Sequence, residues 1–145
     1  MRTQKQYAQR WTAENPAVGI LLLRLFLSCR LLYGVIDNIL SWERMLEFSA
    51  FLGQHHFPWP TLSAVTSVYV QAICALLILI GYQTRTAALL LVINFLIALL
   101  MVHLAVGDTI EGMTPALAML FASLTLIFTG AKDFSLDKRI SQSVK

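Results

Sequence analysis

Two arginines and an aspartate lie inside the first long apolar segment of the chain, NPAVGILLLRLFLSCRLLYGVIDNIL. They are Arg24, Arg30 and Asp37. An ionisable side chain at membrane depth costs about 2.5–3.5 kcal/mol or more and needs a polar partner or a wet cavity. Such groups bind ligands, move protons, or hold helices together through hydrogen bonds. The partners of these three side chains are therefore the first candidates for a functional site.

The composition indicates a membrane protein with little soluble mass. Of the 145 residues, 57% are apolar and 13% are charged, which lies outside the usual balance of a soluble domain. The net charge of +3 is too small to indicate nucleic-acid binding. The sequence contains no nucleotide loop, nucleophile elbow or cysteine–histidine metal motif. His55 and His56 adjoin an aromatic, proline-rich hinge without further ligands, so we predict no metal site there.

We predict an all-α fold, a membrane four-helix bundle formed as a single domain over residues 1–145. At a rise of about 1.5 Å per residue, a helix over 16–40 would be roughly 37 Å long, enough to cross an apolar core of about 30 Å. A short amphipathic helix over about 42–53 should lie in the membrane interface. The remaining spans are predicted at about 61–80, 85–106 and 110–129.

Four spans place both termini on the same side of the membrane. The basic residues on that side are Arg2, Lys5, Arg10, Arg85, Lys132, Lys138, Arg139 and Lys145. On the opposite side Arg44 is the single basic residue, among several acidic ones. This excess of positive residues predicts that the N-terminal and C-terminal tails are cytoplasmic.

A buried polar layer is predicted from depth along the helices. Counted from the cytoplasmic ends, Arg24, Gln71 and Asn94 all lie about 12–14 Å deep on three different spans. A guanidinium keeps its proton and needs acceptors, which the two amide oxygens can supply. We therefore predict a hydrogen-bonded layer at the centre of the bundle. It either locks the helices together or takes part directly in binding a ligand or a proton, and the sequence leaves both open.

A second polar group is predicted toward the outer end of the bundle, and no catalytic residue is assigned within it. The predicted ligand-binding residues are Arg30, Tyr33, Asp37, His103 and Glu111, with Asp108 beside them. Arg30 and Asp37 lie seven residues apart on nearly one helix face, so a polar molecule or water could bridge them. His103 is suited to proton exchange near neutral pH, beside Asp37 or Glu111.

Several short motifs occur in a fixed order over about residues 18–137. They are LLLRLFLS, YGVIDN, FLGQHHFPWP, LILIGYQTR, VHL and TGAKDFSLD. In this order and spacing the chain resembles the DoxX family of small, mostly bacterial, four-helix membrane proteins. It departs from the family pattern at Gln71, where a glutamate is common, and at Asn38, where a lysine is common. An acidic partner for Arg24 is therefore missing.

The resemblance implies a quinone- or quinol-interacting subunit of a redox system in the bacterial inner membrane. The family takes its name from quinol-oxidase and thiosulfate:quinone oxidoreductase subunits. We expect a non-covalently bound quinone at the second polar group, no covalently bound cofactor, and a redox partner protein that carries the electrons. The expected surroundings are the lipid bilayer, without nucleic acid, and a homo-oligomer stays open.

Whether the chain is itself an enzyme also stays open; if so, it is an oxidoreductase subunit that acts on quinones together with a partner. The alternative function is a non-catalytic membrane scaffold or an assembly partner of a redox complex. A small transporter is less favoured, because the chain shows neither an internal repeat nor paired broken helices.

Overall fold

The computed structural model describes residues 15–143, and every regular element in this range is helical. Arg2, Lys5, Arg10 and Lys145, which the predicted orientation uses, lie outside it. In chain order the helices are α1 (Pro16–Leu40), α2 (Trp42–Gln54), α3 (Pro60–Ile80), α4 (Thr84–Ala98), α5 (Ile110–Thr129) and α6 (Leu136–Ser143). A π-helical turn, Leu99–His103, continues directly from α4.

The four long helices form a closed ring. Helix α1 packs against α3 and α5, and α4 packs against the same two helices, while α2 lies against α1 and α3. Buried alanines such as Ala75, Ala87 and Ala88 lie in the core that these helices share. Small residues let helix backbones approach closely, which is how helices associate when the surroundings are as apolar as the core. The predicted all-α four-helix bundle is confirmed.

The outer surface of the ring is suited to lipid. Four helical stretches are long and apolar enough to cross a membrane, namely Pro16–Leu40, Pro60–Ile80, Thr84–His103 and Ile110–Thr129. Large apolar side chains such as Leu22, Phe26 and Phe121 are exposed along them. An apolar surface of this extent is unfavourable in water but is satisfied by a bilayer. The chain is therefore a multi-pass membrane protein.

Arg24 is the most heavily hydrogen-bonded side chain of the described structure, and only 1% of it is exposed. Its Nε donates to the carbonyl of Ile78 (2.8 Å) and its Nη2 to that of Leu79 (2.9 Å). These carbonyls belong to the last turn of α3, where helical N–H donors run out, although the N–H of Gly81 also donates to the carbonyl of Ile78 (3.2 Å). Its Nη1 donates to the carbonyls of Ala131 (3.1 Å) and Phe134 (2.6 Å), between α5 and α6. The guanidinium thus ties three parts of the chain together.

The prediction that Arg24 bonds to Gln71 and Asn94 is wrong. Side chains on a helix lean toward the N-terminus of that helix. Because α1 and α3 run in opposite directions, Arg24 leans toward the end of the bundle where α1 begins, which we call the basic end. Gln71 leans toward the opposite end, which we call the acidic end. Depth counted at the Cα atoms does not reveal this divergence.

The segment after α5 covers the turn between α3 and α4 at the basic end. Gly81 in this turn has a φ of 72°, and a Cβ there would lie 2.5 Å from Nη2 of Arg24, so only glycine fits. The N–H of Asp137 donates to the carbonyl of Gly81 (3.0 Å). The Asp137 carboxylate accepts from the N–H groups of Gln83 (2.8 Å) and Thr84 (3.3 Å), at the start of α4. It therefore caps a helix to which it does not belong.

Replacing Arg24 by glutamine should strongly destabilise the fold. The change leaves buried carbonyls without donors, and each such group costs about 1–3 kcal/mol, so we expect a loss of at least about 3 kcal/mol. Thermal unfolding of the purified protein in neutral detergent measures it. Arg30→Gln is the matched control, since Arg30 lies on the same helix and is exposed. Its cost should stay within about 0.5 kcal/mol, and equal losses in both variants would contradict the assigned role of Arg24.

Candidate functional site

Two adjoining cavities open toward the acidic end of the bundle. The larger, about 580 Å³, lies between α2, α3 and α4 and has a mostly apolar wall that includes Phe48, Phe51 and Phe57. The smaller, about 280 Å³, lies inside the ring between α1, α3, α4 and α5. Ala98 and His103 contribute to the walls of both. Polar side chains of three spanning stretches line these cavities, namely Arg30, Ser67, Gln71, Asn94 and His103.

Three polar side chains form a hydrogen-bonded chain between the two cavities. Gln71 Nε2 donates to Ser67 Oγ (3.1 Å), and the Ser67 hydroxyl donates to Asn94 Oδ1 (2.9 Å). Gln71 lines the smaller cavity, whereas Ser67 and Asn94 line the larger one. Within residues 15–143, Nδ2 of Asn94 donates to no other group, so it remains a donor for a ligand. Gln71 and Asn94 thus belong to one network, through Ser67 and without Arg24.

The π-helical turn determines where His103 points. In a regular α-helix, Ala98 and His103 would be about 140° apart around the axis. The wider turn, closed by the N–H of Leu104 bonding to the carbonyl of Leu99 (2.9 Å), brings them toward one face. Both residues therefore reach the same cavities. The sequence predicted a helix continuing to residue 106, but the helical stretch ends at His103, and Gly107 then reverses the chain with a φ of 66°.

His103 is held by Asp108, five residues further on. The distance between Nδ1 of His103 and Oδ2 of Asp108 is 2.7 Å. This hydrogen bond, together with one from the N–H of Thr109 (2.7 Å), holds the pKa of the Asp108 carboxyl below its usual value. An ionised Asp108 keeps the proton of a neutral His103 on Nδ1, which leaves Nε2 as an acceptor for a ligand.

Gly112 makes room for this pair at the start of α5. A Cβ at Gly112 would lie 2.7 Å from Cγ of Asp108 and would also meet both carboxylate oxygens. Such a contact is too close for any real side chain. The absence of a side chain at this position therefore allows the Asp108 carboxylate to lie against α5 and still reach His103.

Arg30 lines the smaller cavity together with His103 and Gln71. It lies within spanning helix α1, with its guanidinium alongside Gly34. In the part of the chain that the structure describes, this guanidinium makes no hydrogen bond or ion pair. The two arginines of α1 thus differ in their hydrogen bonding. Arg24 donates to four carbonyls, whereas Arg30 has no acceptor within residues 15–143.

The remaining predicted site residues are not brought to these cavities. Tyr33 is 81% exposed on the outer surface of α1, and Asp37 and Glu111 are exposed and line neither cavity. The carboxylate beside His103 is Asp108, where the sequence analysis favoured Asp37 or Glu111. Within the described range, no three histidine, cysteine or acidic residues come close enough to hold a metal ion.

Ser67 and the aromatic wall of the larger cavity were not among the predicted site residues. Ser67 lies four residues before Gln71, so the two share a helix face, and this spacing could have revealed the pair. The phenylalanines of α2 carry no comparable signal, since an apolar face is expected of any interfacial helix.

Comparison with protein families gives a match over most of the spanning helices. A sequence model of a family described as DoxX matches residues 19–104, more than half of the chain. This range contains Arg24, Arg30, the Gln71–Ser67–Asn94 network and His103. Asp108 and the segment that carries Asp137 lie outside it. Neither the curated proteins nor the solved structures contain a match to this chain.

Replacing Asp108 by asparagine should lower the thermal midpoint at neutral pH and remove part of its pH dependence. The Asp108 pKa is lower in the folded than in the unfolded protein, so its stabilisation is complete above the usual carboxyl pKa of about 3.9. It is lost as the pH falls through the folded-state pKa. The gap between the wild-type and Asp108→Asn midpoints should therefore narrow below about pH 3.9, as thermal scans at several pH values would show.

Gly112→Ala provides an independent test of the same contact. Alanine favours a helix by up to about 1 kcal/mol over glycine, so a simple propensity effect would raise stability. We expect the opposite, because the added Cβ would displace Asp108 from His103. The thermal midpoint should fall, with the same pH dependence as in Asp108→Asn. Glu111→Gln, a neighbouring change outside both cavities, serves as the control. A stabilised Gly112→Ala protein would contradict the described geometry.

Proposed function

We propose that this chain, which belongs to the DoxX family, binds a quinone or quinol within the membrane as a subunit of a redox system. The observation that carries the proposal is Arg30, a cation in a spanning helix that lines a cavity and has no partner among the described residues. A charge at membrane depth needs an acceptor or water. The carbonyl oxygen of a quinone is such an acceptor and arrives from the bilayer.

The shape of the larger cavity supports a ligand that is mostly apolar. Its volume of about 580 Å³ is typical of small-molecule sites. The wall includes the exposed side chains of Phe51, Leu62 and Ile97, so the cavity opens on the lipid-facing surface. A ligand with an isoprenoid tail can enter from the side without leaving the bilayer. The tail would lie against these apolar groups, and the quinone ring would reach the polar side chains of the cavity, Ser67, Asn94 and His103.

The polar groups around the two cavities suit both oxidation states of such a ring. Arg30 and Nδ2 of Asn94 are donors for the carbonyl oxygens of a quinone. Nε2 of a neutral His103 is an acceptor for the hydroxyl of a quinol. The Ser67 hydroxyl is committed to Asn94 and fixes the orientation of that amide.

The His103–Asp108 pair supplies a route for a proton. A quinol releases two protons and two electrons when it becomes a quinone. His103 accepts the two protons one after the other at Nε2 and passes the first on before it accepts the second, while the ionised Asp108 carboxylate stabilises each imidazolium through Nδ1. Both side chains are partly exposed, so the proton can pass on to water at the acidic end. The polar side chains of the two cavities are not redox groups, and we propose a redox partner protein as the electron acceptor.

We also propose that the basic end faces the cytoplasm of a bacterial cell. Arg85, Lys132, Lys138 and Arg139 lie at this end, whereas Arg44 lies near the acidic end. An excess of positive residues on one side is typical of cytoplasmic loops. In this orientation the His103–Asp108 pair exchanges protons with the outer side of the membrane.

Replacing Arg30 by methionine should weaken quinone binding by about tenfold or more, because a hydrogen bond from a charged donor contributes about 1.5–3 kcal/mol. Asn94→Leu should weaken it about two- to tenfold, as expected for a neutral donor. The measurement is the dissociation constant of a short-chain ubiquinone or menaquinone analogue for the full chain in neutral detergent.

Arg44→Met is the matched control for charge, because Arg44 lies near the acidic end and lines neither cavity. Its affinity for the quinone should equal that of the wild type. Saturable binding that all three variants retain would place the quinone elsewhere. No saturable binding by the wild type would favour the alternative function, a scaffold or assembly partner without a quinone.

A further inference from the structure

A third cavity, of about 420 Å³, lies at the basic end, far from the proposed quinone site. Its wall is formed by the start of α4, the end of α5 and the segment that leads into α6. The ends of spanning helices lie at the depth of the lipid headgroups. Phe128, which directly precedes the cavity wall at Thr129, is 79% exposed and can contact acyl chains beside it. The cavity is thus open where polar lipid groups are most concentrated.

The charges around this cavity are unbalanced toward positive. Arg85, Lys132 and Lys138 line it, with Asp137 as the single carboxylate of the wall. Both Asp137 oxygens already accept N–H groups at the start of α4, and the Lys138 ammonium is paired with Asp133. Among the described residues, neither Arg85 nor Lys132 has an acidic partner. Nη2 of Arg85 donates to the neutral carbonyl of Phe128 (3.4 Å), so the charge of neither cation is neutralised and both are available to an anion.

A buried hydroxyl in the same wall lacks a partner. Thr84 is 0% exposed, and its Oγ1 makes no hydrogen bond within the described part of the chain. Its main-chain N–H donates to Asp137, so the residue is fixed at the first position of α4. A buried hydroxyl without a partner costs free energy, which an anionic oxygen in the cavity would recover by accepting the hydrogen bond.

The backbone conformation at Lys132 separately indicates that its side chain has a role at the cavity. Its φ of 56° is in the left-handed region, which favours glycine. A glycine would suit the turn better, yet the position carries a long cationic side chain directed to the cavity wall. The ammonium group is therefore not explained by the turn itself.

We propose that this cavity binds the phosphate group of an anionic phospholipid, held by Arg85, Lys132 and the Thr84 hydroxyl. The phosphate oxygens accept charge-assisted hydrogen bonds from the two cations and a neutral one from Thr84. The acyl chains extend past Phe128 into the bilayer. The bound lipid then bridges α4, α5 and the segment before α6. This proposal does not depend on quinone binding, which involves the other end of the bundle.

The test uses the full chain in neutral detergent with dioleoylphosphatidylglycerol, dioleoylphosphatidylcholine or inorganic phosphate as the probe. Native mass spectrometry counts the retained lipid, and thermal scans measure the rise in midpoint. The wild type should retain phosphatidylglycerol and gain stability from it. Lys132→Gly, which relieves the left-handed backbone, should weaken retention about tenfold, as expected from the loss of a charged donor.

Thr84→Val separates ligand binding from folding. It removes a hydroxyl that has no partner among residues 15–143, so the midpoint without lipid should stay equal or rise. The gain in midpoint from phosphatidylglycerol should nevertheless shrink. The matched control is Arg139→Gln, which removes a positive charge from exposed α6 outside the cavity wall and should retain the lipid like the wild type.

Three results would overturn the proposal. Equal losses in Arg139→Gln and Lys132→Gly would show that diffuse charge attracts the lipid. Equal stabilisation by phosphatidylcholine and phosphatidylglycerol would show that the anionic headgroup is not recognised. Full stabilisation by inorganic phosphate alone, with no retained lipid, would identify free phosphate as the ligand. Quinone affinity should be the same in Lys132→Gly and wild type, so failure of one proposal is distinguishable from failure of the other.

Discussion

Main-chain carbonyls at the end of a membrane helix have no helical donor and limited access to water, so something else must satisfy them. In this protein Nε and Nη2 of Arg24 donate to the carbonyls of Ile78 and Leu79 in the last turn of α3, and Nη1 donates to two carbonyls of the segment after α5. A lysine could not replace it, because the planar fork presents donors in several fixed directions at once. The rest of the basic end is arranged around this group, including the glycine turn at Gly81 and the trans cap from Asp137.

This arrangement divides the bundle into two halves with different properties. At the basic end Arg24 is buried and makes four hydrogen bonds to main-chain carbonyls, which is typical of a structural role. Toward the acidic end two cavities lie between the helices, and within residues 15–143 Arg30 and Asn94 retain unused donors. The π-helical turn Leu99–His103 lies in this half, and π-turns are frequent at functional sites. The half that holds these two cavities and the π-helical turn is therefore the candidate for the proposed quinone site.

Much of the fold follows from the sequence because its signals are local. Runs of about 20 apolar residues separated by glycine or proline predict the helices, and Thr109 caps α5 through its own side chain. The hydrogen-bond partners of the polar side chains are harder to predict from the sequence. Arg24 was matched to Gln71 and Asn94 by depth alone, and the opposite directions of α1 and α3 moved them apart. The π-turn, Leu99–His103, is not marked by any local sequence pattern, and the His103–Asp108 contact lies in the chain that follows it.

A photoreactive quinone analogue would test the central claim that the acidic half contains the ligand site. After irradiation of the analogue with the full chain in neutral detergent, mass spectrometry of the digested protein locates the adducts. The predicted result is labelling of the segments that hold Ser67 and Asn94–His103, which excess unlabelled quinone abolishes. Labelling concentrated at the basic end, in residues 83–86 and 129–138, or labelling that unlabelled quinone does not reduce, would contradict the account.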